Sequence, residues 1–182
     1  MNRLALVLVS AAALASAACR DAKQPPVIAA PSAADSADQV LFGVHFLLTS
    51  KGIQRGELFA DTGYVMRDQT RFDFRHVRVE FSTETGAKEG TMTAGKAIYD
   101  MPTQVLEGWG NVVIRMVDGR ALKSPHVKYN QAANDISSDT TYEISNPRGV
   151  ATGIGFSADP GFTRFTCKSN CGGSSEVALP QR

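Results

Sequence analysis

From Val40 onward the apolar side chains of this chain fall on every second position, and that alternation limits what it can fold into more than any other feature. Phe42, Val44, Phe46 and Leu48 alternate, as do Leu58 with Ala60, Tyr64 with Met66, and Phe72 with Phe74. After a change of parity near Arg75-His76 come Val77, Val79 and Phe81, then Val112, Ile114 and Met116, Val127 and Tyr129, and Tyr142 and Ile144. A period of two buries one face of an extended strand and wets the other, which is the pattern of antiparallel sheet. No segment from Val40 on carries a helical period. Asp118-Gly119 joins two alternating runs as a two-residue hairpin turn. Further turns are expected at Thr85-Gly86, Met101-Pro102, Asn130 to Asn134, and Asn146-Pro147-Arg148-Gly149.

A weak internal repeat underlies the alternation. Tyr64, Tyr99, Tyr129 and Asp159 stand 35, 30 and 30 residues apart. Phe74, Trp109 and Asp139 keep the first two spacings, and so do Val77, Val112 and Tyr142. Such a period means stacked hairpin units, each needing neighbours to cover its apolar face. The expected fold is all-β, an elongated sandwich or jelly roll rather than a compact barrel.

The first eighteen residues have a different character. Arg3 is followed by an uncharged run from Leu4 to Ala18, about 22 Å long as a helix and short for a bilayer core. A basic start, an apolar stretch and small residues at its end form a secretory signal peptide. Ser16-Ala17-Ala18-Cys19 resembles the lipobox that precedes a lipidated cysteine, which makes Cys19 the expected lipid anchor. Cleavage after Ala15-Ser16-Ala17, with Cys19 incidental, is the alternative. Residues 19–38 are rich in Pro, Ala and Ser and read as a flexible tether. The folded domain is expected over 39–172 and a flexible tail over 173–182. Loss of residues 1–18 removes one of 19 basic residues, Arg3, leaving 18 against 18 acidic ones. A formally neutral chain has no field to collect nucleic acid, and none is expected as a partner.

The residues that carry the alternation also resemble a known family. Gly56-Glu57-Leu58-Phe59-Ala60-Asp61, Thr93-Ala94-Gly95-Lys96-Ala97-Ile98-Tyr99 and Leu106-Glu107-Gly108-Trp109-Gly110-Asn111-Val112 follow one another in order. Asp118 to Ser124, Ile136-Ser137-Ser138-Asp139 and Thr152-Gly153-Ile154-Gly155-Phe156 continue the series. Together, over about residues 39–166, they are similar to LptC, a periplasmic component of lipopolysaccharide export. The resemblance implies an open, twisted β jelly roll that shares its fold with LptA. It implies a conduit rather than a catalyst, with domains joining end to end by strand pairing. Lipopolysaccharide would be the cargo, and the implied partners are an LptA-like bridge protein and LptF/LptG-type inner-membrane permeases with their ATPase. It implies a location on the periplasmic face of the inner membrane. Family members often carry an N-terminal transmembrane helix, whose place a lipid on Cys19 would take here.

Residues of one strand parity are then candidates for the lipid groove: Phe42, Val44, Phe46, Leu58, Tyr64, Phe74, Val79, Val112, Ile114, Tyr129 and Tyr142. The same alternation also describes an ordinary dry core. The strand edges around Val40–Leu48 and Phe162–Cys167 are expected to be open. Enzyme chemistry finds no support, because no nucleophile motif, P-loop or carboxylate pair stands out, and no cofactor is expected. His45, His76 and His126 lack the short spacing of metal ligands and read as solvated or satisfied. Cys167 and Cys171, exported, are expected as a local disulfide rather than half of a metal site. An adaptor lipoprotein of the same fold, holding no lipid, is the competing function.

Overall fold

The computed structural model describes residues 33–66 and 69–173. One helical turn, α1 (Ala33–Ser36), leads into nine strands. These are β1 (Ala37–Ser50), β2 (Ile53–Met66), β3 (Arg71–Ser82), β4 (Lys88–Asp100), β5 (Val105–Met116), β6 (Ala121–Asn130), β7 (Asp135–Asn146), β8 (Gly149–Ala158) and β9 (Phe165–Gly173). They form one antiparallel sheet in chain order, β1 to β9, and each strand pairs with its sequence neighbours. The turns fall where Gly, Pro, Asn and Asp cluster, and Asp118-Gly119 closes the β5–β6 hairpin. The expected signal peptide, the expected anchor Cys19, most of the expected tether and the expected tail beyond Gly173 lie outside the described residues.

The sheet is creased across the middle of its strands. The ladder is interrupted between Thr93 and Lys96, Trp109 and Val112, Lys123 and Lys128, Ser138 and Thr141, and Thr152 and Ile154. Positive φ angles lie on the same line, at Gly43, His76, Gly110, Asn111, Gly155 and Asn170. Gly110, at φ +79, takes a conformation most side chains avoid, which is why a glycine occupies the crease there. Bulged residues bend a strand and sharpen its twist. The crease thus turns the two halves of the sheet toward each other over a shared apolar interior. Phe81 near the end of β3, for example, meets Tyr129 of β6 edge to face at 5.0 Å.

Backbone groups freed by the crease are recaptured by hydroxyls. Ser124 Oγ lies 2.9 Å from the Thr141 carbonyl and 3.0 Å from that of His126. Ser138 donates to the His126 carbonyl at 2.7 Å and accepts from the Thr140 amide at 3.1 Å. Buried polar groups need such partners, and these serines keep the broken β6–β7 ladder satisfied.

The crease also resets parity. On β2, Leu58 and Ala60 point inward before it and Gly63 and Val65 after it. Gly63 leaves room for a neighbour, since a Cβ there would sit 3.1 Å from the Phe74 ring. On β3 the inward set passes from Phe74 to Val77, Val79 and Phe81 across His76. The repeat read in the sequence marks this line, for Val77, Val112 and Tyr142 are the first inward residues beyond the crease on β3, β5 and β7.

Candidate functional site

The interior is built from alternate residues of all nine strands. Leu58, Phe74, Val79, Val112, Ile114 and Tyr129 are fully buried, and Tyr142 nearly so, within one continuous cluster. Each such side chain contributes about 1.5–3 kcal/mol by leaving water. Val44 and Phe46 pack against the cluster while partly exposed, and Phe46 meets Tyr99 edge-on at 5.3 Å. Burial raises the phenol pKa values of Tyr99, Tyr129 and Tyr142, with Asp100 adding to the effect at Tyr99. These hydroxyls stay neutral in an apolar space.

Two members of the expected inward set point elsewhere. Tyr64 lies on the outer face, where the Arg75 guanidinium sits 5.2 Å from its ring centre, because the crease shifts the inward parity of β2 to Val65. Phe42 is 79% exposed, on the half of β1 that precedes Val44. Among the described residues strand β1 pairs only with β2 and strand β9 only with β8, so each leaves one backbone edge without a partner strand there. The first edge carries the exposed apolar residues Val40, Leu41, Phe42 and Leu47. The second is polar, and a bond between Cys167 and Cys171 joins Cα atoms 6.1 Å apart. Phe162, expected on that second edge, is instead fully buried in the turn before β9.

That turn was invisible to alternation. Asp159 organises it by accepting from the Thr163 hydroxyl at 2.9 Å and from the Arg164 amide. Burial pushes its pKa up, but these hydrogen bonds outweigh burial and hold it below the ordinary value. Nearby Glu89 is shifted up, by burial first and then by the charge of Asp159. The sequence signal was present in Asp159-Pro160-Gly161, a turn-forming run directly after a strand.

On the outer face each histidine meets a carboxylate: His45 with Glu57 at 2.8 Å, His76 with Asp61 at 3.0 Å, and His126 with Glu107 at 3.2 Å. Trp109 stacks on His126, and Lys96 lies 5.7 Å from the Trp109 ring centre. A cleft of about 840 Å³ lies beside them, with Lys123 and Glu143 paired at its wall. Among the described residues no group of three His, Cys, Asp or Glu side chains is placed to hold a metal ion. None of the described helices is long and apolar enough to cross a membrane.

A creased antiparallel sheet with an apolar interior and two unpaired edges defines an open β jelly roll. The family described as LptC, lipopolysaccharide-assembly, LptC-related, matches residues 4–175. The chain belongs to that family, and its role lies in lipopolysaccharide transport. Among solved structures it is similar to LptH of Pseudomonas aeruginosa, described as the LptA-homologous periplasmic component of the lipopolysaccharide transport device. The two are 11% identical with a TM-score of 0.48, over 69% of this chain and 87% of that one. No curated protein matches.

Proposed function

We propose that this chain is a periplasmic conduit, anchored to the inner membrane through Cys19, that passes lipopolysaccharide from an inner-membrane exporter to a bridge protein without catalysis. The carrying observation is the continuous apolar interior lying between two unpaired strand edges. Moving an acyl chain through water costs about 0.8 kcal/mol for each CH₂, so a lipid with several chains needs a shielded path. Unpaired edges are normally an aggregation hazard; here they offer backbone ladders to neighbouring domains of the same kind. The LptF/LptG-type permeases with their ATPase lie on one side of this path and an LptA-like domain on the other.

A second reading, an adaptor that holds no lipid, draws on the full burial of Leu58, Phe74, Val112 and Ile114 by protein alone. Lipid mass spectrometry of the protein purified from its native envelope separates the two. Lipopolysaccharide recovered with the wild type supports the conduit, and lipid-free protein that still co-purifies with the exporter supports the adaptor.

A further inference from the structure

We propose that the turn from Asp159 to Arg164 is a clasp, and that the Phe162 side chain occupies the seat of an acyl chain, which opens when Arg120 lets the turn go. The proposal rests on the conduit reading and extends it to a particular place and ligand, one saturated acyl chain.

Three observations meet at this turn. Phe162 is fully buried, yet it sits on a loop rather than a strand, walled by Phe156 at 6.1 Å and Phe165 at 6.0 Å between ring centres. Tyr142 closes on the same group, 5.4 Å from both Phe156 and Phe165. The space taken by Phe162 is therefore apolar on its aromatic sides and continuous with the rest of the interior. Phe162 also has φ +53. A bulky residue rarely adopts the left-handed region, and it stays there only when its surroundings hold it.

What holds it is identifiable. Arg120, in the turn just before β6, donates from Nη1 to the Phe162 carbonyl at 3.0 Å and from Nη2 to the Gly161 carbonyl at 3.3 Å. Its Nε donates to Asp118 at 2.6 Å, which fixes the guanidinium plane. The fork therefore bridges two parts of the sheet far apart in sequence. Phe156 and Ala158 belong to the half of β8 on one side of the crease, while Arg120 adjoins the half of β6 on the other. Where the two half-sheets would part, the clasp ties them. Strands alone do not need this arrangement. A β8–β9 connection left to solvent would keep the sheet intact, whereas this one turns a phenyl ring into the interior and latches it from the opposite half.

A seat filled by the protein's own side chain lowers the apparent affinity for a ligand by the fraction of molecules that are open. Arg120→Lys keeps the charge beside Asp118 but loses the planar fork that grips two carbonyls; Arg120→Ala loses both. Purified full chain is titrated with 11-(dansylamino)undecanoate, a fluorescent acyl chain, with folding checked by circular dichroism. Both variants are expected to bind it about five- to tenfold more tightly than wild type, as removing a population cost requires. In wild type, the probe is expected to speed hydrogen exchange of the Phe162 amide, which donates to the Asp159 carbonyl at 2.8 Å. Wild-type affinity in a folded Arg120 variant overturns the clasp. So does unchanged exchange at Phe162 under saturating probe, and that measurement needs no variant. If lipopolysaccharide crosslinks to Val112 in cells while either result goes against the clasp, the clasp alone falls. If no interior position captures lipid, the conduit reading falls instead.

Discussion

The two edges of the sheet answer the same problem in opposite ways. Strand β9 bears Thr166, Lys168, Ser169 and Asn170 at its surface. Its ladder to β8 shifts register between Thr152 and Ile154, and the Cys167–Cys171 bond brackets the residues opposite that shift. Lysines, bulges and short length are the devices by which edge strands avoid unwanted pairing. Strand β1 carries no lysine over its first half, and the register shift found there lies at its very start, between Ala37 and Gln39, short of the exposed apolar run. The strand is fourteen residues long and leaves Phe42 at 79% and Leu47 at 51% exposure, with Val40 and Leu41 also uncovered. One edge is built to stand in water and the other to be covered. If the chain acts as the proposed conduit, the contrast would suit a standing neighbour at β1 and one that comes and goes at β9.

Substitutions at either edge test the difference between them. The largest effect is expected at β1. Phe42→Asp should weaken association with the neighbour on that side by about ten- to a hundredfold, since burying one Phe is worth about 1.5–3 kcal/mol. Thr166→Asp on β9 should cost no more than a fewfold loss, because pairing at that polar edge would rest on backbone bonds. Co-purification yields of the two variants from the same cells give the ratio, and equal losses would remove the distinction between the edges. A smaller effect is expected from Cys167→Ser combined with Cys171→Ser. Opening so short a loop should cost about 2 kcal/mol or less. Hydrogen exchange should rise along β9 and leave β1 unchanged; a rise on both strands would mean that the bond supports the whole sheet.

Why some of this was legible in the sequence and some was not follows from how the sheet is made. Alternation found the strands because a one-sided sheet must bury every second residue. The spacing of Val77, Val112 and Tyr142 recorded the crease, since the same bend recurs once in each hairpin pair. Tyr64 was misplaced because the β2 crease contains no proline and no parity break as plain as Arg75-His76. Its mark is Gly63, whose missing side chain admits Phe74. Phe42 was misplaced for the same reason: the crease passes through Gly43, so Phe42, opposite Thr62, takes the outward parity while Val44, opposite Ala60, takes the inward one. The clasp was missed altogether. A turn gives no period, and Arg120 reaches Phe162 only after the sheet has folded.

Whether the inward parity faces acyl chains is read by photo-crosslinking in living cells. Photoreactive residues at Phe46, Val112 and Tyr142, inside, are compared with Arg78, Arg115 and Glu143, of outward parity. Lipopolysaccharide adducts are expected from the first set and none from the second. Folded protein that yields only protein adducts from Phe46, Val112 and Tyr142 would contradict the conduit reading.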